Sequence, residues 1–535
     1  MKTMISSIIL ASCLALPLAS CSDSDVAPEQ KDWSTTTYFY SADAAMQDTY
    51  YKPTVGYVGD PMPFFDPVAG DFKVLYLQDF RPNPEGTYHP IWGVSTKDAA
   101  HYTSLGELVS CGTKKSQDAA IGTGSTIYDE ASKLYYTFYT GNKYLPTGDE
   151  SAQAVMVATS PDFKTWTKDR TFLLKGQDFG YDKNDFRDPF VFKGDDGKFH
   201  MLVSTKKSGK GSLAEFVSDD LKNWTDNGVF MTMMWDRFYE CPDLFKMGDY
   251  WYLVYSEIHH AVRRVQYFKG RTLDELKACT ANDAGIWPDA HEGFLDSRGL
   301  YAGKTASDGT NRYLWGWCPT RSGKDNTAVG ASPAEPEWAG NLVCYKLIQH
   351  EDGTLTLGQI DAVSEKYNQD VAVEVKESQN MTEADGTYTL AGSVGQPDAY
   401  MLMGRLGSHN KISFTVTTSN EWDKFGISMV RGSDSKKYYT MVVNPENENN
   451  RKVNFEEQGV EGKGFIAGID GYVFARPADN VYNITIYTDN SICVMYINDV
   501  CSYTNRIYGI QKNCWSINSY NGANVKISNL KISQY

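Results

Sequence analysis

Three short runs in this sequence set an acid one or two residues before a proline: Gly59-Asp60-Pro61, Arg187-Asp188-Pro189 and Glu240-Cys241-Pro242. Aligned on the prolines, Asp60, Asp188 and Cys241 share one position, and Glu240 stands one residue earlier. A lone Asp-Pro is ordinary turn chemistry, with Asp capping the turn and Pro fixing φ. Acids at matching places of a repeated line carry more. If the fold brings them together, they supply a nucleophile, a proton donor and negative charge for an oxocarbenium-like centre, the set that cleavage of a glycosidic bond requires. Crowding of like charges would also raise the pKa of one member, which suits a general acid.

The elements that would position these acids are visible as a repeat. Ser160-Pro161-Asp162-Phe163-Lys164-Thr165-Trp166-Thr167 matches Ser218-Asp219-Asp220-Leu221-Lys222-Asn223-Trp224-Thr225, and Asp98-Ala99-Ala100-His101-Tyr102-Thr103 is a weaker copy. A second line, a short run rich in aromatic and β-branched residues after a turn, recurs five times, beginning at Phe72, Leu134, Phe199, Tyr250 and Arg312. Gly and Asp precede four of these runs, as hairpins between alternating strands require, and Asp129-Glu130-Ala131-Ser132 precedes the other. Five all-β units, each about sixty residues long, predict an all-β fold whose first part is a five-bladed β-propeller over residues 37–350. The innermost strands of a propeller converge on its axis, so acids at their starts would face one central funnel. In the second unit the strand opens Thr123-Gly124-Ser125, and Gly124 takes the slot of the acids. Residues 351–370 read as a junction. Alternating runs such as Lys411–Val416 and Ile492–Ile497 predict an antiparallel β-sandwich over residues 371–535.

The order Asp60-Pro61, Leu75-Tyr76-Leu77-Gln78, Trp92-Gly93, Arg187-Asp188-Pro189, Glu240-Cys241-Pro242-Asp243 and Trp338-Ala339-Gly340 resembles glycoside hydrolase family 32, the invertases, inulinases and levanases. Asn505-Arg506-Ile507 resembles a further landmark in that family's sandwich. The resemblance implies a retaining mechanism on fructofuranosyl units, with Asp60 as nucleophile, Glu240 as acid and base, and Asp188 stabilising the transition state. It implies substrate contacts at Gln78, Trp92, Thr123, Arg187 and Trp338, each of which could equally be packing. Arg187 would orient Asp188 or Glu240, or serve only as a structural ion pair. Two departures stand out: Gly59 replaces the family's Asn before the nucleophile, and Gly122 replaces an aromatic before Thr123. They suggest a roomier pocket, and with it levan and internal cleavage rather than removal of terminal fructose. An exo-acting inulinase or β-fructosidase, an inverting arabinan or xylan hydrolase of family 43 type and a non-catalytic glycan-binding surface lipoprotein are the alternatives.

Lys2 and the apolar run Ile5–Leu18 have the shape of a secretory signal, too short to span a bilayer. The run ends in Leu18-Ala19-Ser20-Cys21, which resembles a lipoprotein box, so residues 1–20 read as the signal, Cys21 as the lipidated residue and 21–36 as a flexible tether. Ser22-Asp23-Ser24-Asp25 is similar to the export tag of Bacteroidetes surface lipoproteins, implying an outer-membrane protein held at the cell surface by its lipid anchor alone. The 535 residues are 41% hydrophobic and 22% charged, a globular balance, and the 13% aromatic share suits strands and sugar surfaces. A net charge of −16 argues against nucleic acid and leaves a neutral partner such as a fructan polysaccharide or oligosaccharide. Ten cysteines without regular spacing and eight scattered histidines suggest neither a metal site nor a disulfide framework. No cofactor is expected, and no pattern specifies an oligomeric state.

Overall fold

A computed structural model describes residues 49–535 except 81–87, 234–237, 258–263, 283–292, 322–335, 396–397, 432–437, 446–452, 459–473 and 475. The signal, Cys21 and the whole tether lie outside the described residues, as do His259 and His260, two of the eight histidines. The first part of the chain is a five-bladed propeller. Blade one holds β1 (Tyr57–Asp66), β2 (Asp71–Asp79), β3 (Ile91–Thr96) and β4 (Thr103–Val109). Blade two holds β5 (Ala120–Asp129), β6 (Leu134–Asn142), β7 (Gln153–Ser160) and β8 (Thr167–Lys168). Blade three holds β9 (Phe186–Lys193), β10 (Phe199–Lys207), β11 (Lys210–Ser218) and β12 (Thr225–Thr232). In blade four the described strands are β13 (Glu240–Met247), β14 (Tyr250–Glu257) and β15 (Arg264–Gly270). Blade five holds β16 (Tyr301–Ser307), β17 (Arg312–Arg321), β18 (Pro336–Gln349) and β19 (Leu355–Gly358). The inner strands neighbour one another in the order β1, β5, β9, β13, β16 and back to β1. A pairing of Val58 on β1 with Gly340 on β18 ties the last blade to the first.

The repeated line is a turn between the third and fourth strands of three blades. Asp98, Asp162 and Asp220 each accept two backbone N–H bonds, from residues two and three ahead, on one carboxylate oxygen. The residue after each Asp sits in the left-handed region, at φ 58° for Ala99, 60° for Phe163 and 62° for Leu221. The acid thus replaces the backbone partner that the turn lacks. Ring contacts do the rest: Phe163 meets Trp166 within blade two at 5.2 Å, and Phe138 of blade two meets Trp224 of blade three at 5.6 Å. In the hairpin of blade two, Lys133 takes the left-handed conformation (φ 58°) that Gly70 takes in blade one (φ 68°). Asp129 holds that turn by accepting from the Ala131 and Ser132 amides.

The segment 351–370, read from sequence as a junction, supplies β19 to the fifth blade and then a short helix, Asp361–Lys366. Beyond it the described strands form the two antiparallel sheets of the sandwich, one of eight strands and one of six. Strand His409–Thr418 turns Ile412, Phe414 and Val416 inward in strict alternation, and Cys514–Ser519 of the facing sheet supplies Trp515 and Ile517. Two buried carboxylates fasten the modules together. Asp489 of the sandwich accepts from the Thr49 and Tyr50 amides at 3.0 and 2.9 Å. Asp296, from the propeller side, accepts from the Ser502 and Thr504 hydroxyls at 2.9 and 2.7 Å.

Candidate active site

Each of the five inner strands carries one extra residue against its partner, a β-bulge at the same level of the funnel. The bulges lie between Gly59 and Met62, Gly122 and Gly124, Arg187 and Phe190, Glu240 and Asp243, and Tyr301 and Lys304. Four of the bulge residues have positive φ: Asp60 31°, Asp188 57°, Cys241 52° and Ala302 51°. Such conformations cost roughly 1–3 kcal/mol each and gather where function demands them. The bulges align Asp60, Thr123, Asp188, Cys241 and Ala302 as one ring, and Gly59, Gly122, Arg187, Glu240 and Tyr301 as the ring before it. Alignment on prolines set Gly124 beside the acids; the strand pairing puts Thr123 there instead, because blade two has no proline to mark the register.

Asp60 and Asp188 on the first of these rings come together with Glu240 on the ring before it. Thr123 Oγ1 donates to Asp60 Oδ2 at 2.8 Å, and Trp317 Nε1 donates to Oδ1 at 3.0 Å, so both carboxylate oxygens are held. Asp188 is 4% exposed and accepts from the Cys241 amide at 2.9 Å. Its own amide donates to Thr140 Oγ1 at 2.8 Å. Glu240 Oε1 accepts from Arg187 NH2 at 2.9 Å, and Oε2 accepts from the Tyr301 hydroxyl. Arg187 also reaches Asp185 at 2.7 Å, stands 3.9 Å from Asp188, and lies over the Phe238 ring at 3.9 Å.

Electrostatics follow from this crowding. Burial pushes the Asp188 carboxyl up to about 7; Glu240 and Asp60 push the same way, while Arg187 and the Cys241 amide pull it down. Burial, aided by Asp60, Asp188 and Glu240, keeps the Cys241 thiol protonated. Arg187 is raised despite burial, because Asp188, Glu240 and Asp185 hold its charge. Beneath the acids, buried Lys304 donates to the Gly124 carbonyl at 2.7 Å. Burial lowers its pKa, and the field of Cys241, Asp243, Asp188 and Asp60 opposes that shift.

The wall beside Asp60 is aromatic. Trp317 is fully buried and half-buried Trp338 lies 6.1 Å from it, with His89 stacked on Trp338 at 4.1 Å and 24°. A Cβ on Gly59 would fall 2.3 Å from the Trp338 ring, so the indole occupies the room that a side chain at residue 59 would need. A Cβ on Gly122 would meet Thr140 Cβ at 3.0 Å. Neither glycine leaves open space beside its own backbone. Gln78 is fully buried on β2 and gives its amide to the Val55 carbonyl. Trp92 packs on Phe80 and Val55. Thr123 and Arg187 therefore bond the acids directly and Trp338 reaches them only through Trp317, whereas Gln78 and Trp92 stand in blade one without a hydrogen bond to any of the acids.

Tyr301, Trp317 and Lys304 were not singled out from sequence. The fifth strand opening, Tyr301-Ala302-Gly303-Lys304, contains neither acid nor proline, but its distance from the Asp308-Gly309 turn equals that of the other openings from theirs within about three residues. That spacing was the available signal.

Comparison with known proteins fits this geometry. Residues 50–360 match the model of the glycosyl hydrolases family 32 N-terminal domain, and 353–532 match one described as GH32, BT1760-like, C-terminal domain. An insoluble β-fructofuranosidase isoenzyme of Arabidopsis thaliana is 27% identical over 54% of this chain and 51% of its own. A sucrose-6-phosphate hydrolase of Staphylococcus xylosus is 24% identical over 61% of this chain and 65% of its own. The chain spans about half the length of the first curated relatives it matches. Among solved structures, fructan 1-exohydrolase IIa of Cichorium intybus superposes with a TM-score of 0.67 at 17% identity, covering 91% of this chain and 97% of that one. Sucrose-6-phosphate hydrolase of Lactobacillus gasseri gives 0.64 at 17%, covering 91% and 94%.

Proposed function

This chain belongs to glycosyl hydrolase family 32, and from that premise we propose that it is a retaining β-fructofuranosidase acting on fructan, most readily levan, at the cell surface. The observation that carries the reading is the single cluster of Asp60, Asp188 and Glu240, with each carboxylate held by named donors. Asp60 attacks the anomeric carbon and forms a fructosyl-enzyme. Trp317 and Thr123 fix both of its oxygens and so aim its attack. Glu240 protonates the leaving oxygen and then takes a proton from water. Arg187 and Tyr301 orient it from opposite sides. Asp188, carried near neutrality by its surroundings, binds sugar hydroxyls and follows the charge that develops on the ring.

A surface lipoprotein anchored at Cys21 has most use for a polymer too large to enter the cell, which favours levan or inulin over sucrose and internal cleavage over terminal clipping. A second reading, exo-action, is favoured by Trp338 filling the space beside Gly59, since a closed wall next to the nucleophile suits a terminal sugar. Incubation with levan, inulin and sucrose distinguishes these. Early oligosaccharides from levan support internal cleavage, free fructose as the only early product supports exo-action, and no release from any of them defeats the hydrolase reading.

A further inference from the structure

Arg506, on the sandwich strand Cys501–Arg506, crosses into the propeller and is only 3% exposed. Three of its hydrogen bonds end on the two strands that form the aromatic wall. Nε donates to the Pro319 carbonyl at 3.0 Å, and NH2 donates to the Cys318 carbonyl at 2.8 Å and to Asn341 Oδ1 at 2.7 Å. NH1 donates to Ser491 Oγ within the sandwich at 2.9 Å. Cys318 and Pro319 directly follow Trp317, and Asn341 comes three residues after Trp338. The backbone of β17 crowds that of β18 here, for a Cβ on Gly340 would lie 1.8 Å from the Cys318 oxygen.

All four partners are neutral oxygens, so among the described residues Arg506 is a buried cation with no carboxylate in its hydrogen-bonding shell. Burying a charge in that way is costly, and an apolar side chain would join two modules at lower cost. What an apolar side chain cannot do is hold two successive carbonyls and a side-chain amide in one plane, the geometry of a guanidinium fork. We propose that Arg506 is a positioning residue for the nucleophile: it fixes β17 and β18 so that Trp317 Nε1 meets Asp60, and through it the sandwich sets the active site. This rests on the reading of Asp60 as nucleophile.

The test compares full-length Arg506→Met, Arg506→Lys and Ser502→Ala with the wild type on levan or sucrose, with thermal melts of the same samples. Ser502 is on the same strand and bonds Asp296 and the Leu295 carbonyl, and none of its hydrogen bonds reaches β17 or β18. Arg506→Met should lower kcat roughly ten- to a hundredfold while KM moves less than about threefold, because misplacement by a fraction of an ångström is read in the chemical step. Arg506→Lys should recover part of the loss, since an ammonium can still bond one carbonyl. Ser502→Ala should lose melting temperature and keep kcat within about twofold. A folded Arg506→Met with kcat within about twofold of wild type overturns the proposal, as do kcat losses that track melting temperature alone across all three variants. Should Arg506→Met not fold, an Arg506→Lys protein with unchanged kcat overturns it. If the wild type releases no sugar at all, the hydrolase reading fails, and near-UV circular dichroism decides the positioning claim. An Arg506→Met spectrum that departs from wild type in the manner of Trp317→Phe supports it, and an unchanged spectrum overturns it.

Discussion

The propeller and the sandwich are made of the same material, antiparallel strands with alternating side chains, and they bury it in opposite ways. The sandwich closes two apolar faces on each other, with Phe414, Ile486, Met495 and Trp515 between them. The propeller keeps its apolar contacts between blades and sends polar groups to its axis: Asp60, Thr123, Asp188, Glu240, Tyr301 and Lys304. The bulge is what separates the two outcomes. In a regular strand the side chains alternate between two packed faces, and none is free to point along the sheet. One extra residue, with positive φ in four of the five blades, turns a side chain out of that alternation, and the bulges all stand at one level around a common centre.

That contrast predicts where a mutation costs activity and where it costs stability. The largest effect falls on the ring. Asp60→Asn and Glu240→Gln should each lower kcat by about 10³-fold or more with thermal stability little changed, checked by initial rates on levan and by calorimetry. A sandwich-core change should do the reverse. Trp515→Ala should destabilise by roughly 3–5 kcal/mol while the folded fraction keeps its kcat, and a large loss of specific activity in folded protein would break the comparison. Trp317→Phe sits between the two, for it keeps the packing and removes one donor from Asp60. It should cost roughly ten- to a hundredfold in kcat, somewhat less than loss of an oxyanion donor, because Thr123 still holds the other oxygen.

A further contrast is one of pH. The Asp188 carboxyl is raised in the folded protein from its ordinary 3.8 to about 7. Its protonated form is favoured by folding, so its contribution to stability is complete below its ordinary pKa and is lost as pH rises through about 7. Asp188→Asn removes the charge and keeps an acceptor for the Cys241 amide. It should match the wild type in melting temperature near the low end of that window and exceed it above the high end, despite losing activity. A difference that does not grow with pH would contradict the burial argument.

Much of this arrangement was legible in the residues. The Asp-centred turn is a local device, so it repeats in sequence wherever it repeats in space, and it marked blades one to three at Asp98, Asp162 and Asp220. The three acids were legible because two stand before prolines that mark the bulge and the third stands one residue earlier. Where no proline marks the bulge the register was lost, as at Thr123, or the strand opening was passed over, as at Tyr301. The exchange of Gly59 for space taken by Trp338 could not be read locally, because it joins residues on different blades. The strand Leu355–Gly358 was hidden in a polar segment whose pairing partner, β18, alone gives it its place. Arg506 was noted only as a landmark, since its acceptors are backbone carbonyls that no sequence pattern displays.

The most direct test of the central claim is to trap the fructosyl-enzyme. Glu240→Gln would be mixed with a β-fructofuranosyl fluoride, whose leaving group needs no proton, quenched in acid, digested and weighed by mass spectrometry. The account predicts one added fructosyl unit, confined to the peptide that contains Asp60 and absent when Asp60 is also replaced by Asn. An adduct on a different residue, or turnover of the fluoride by wild type with inversion and no adduct in either protein, would contradict it.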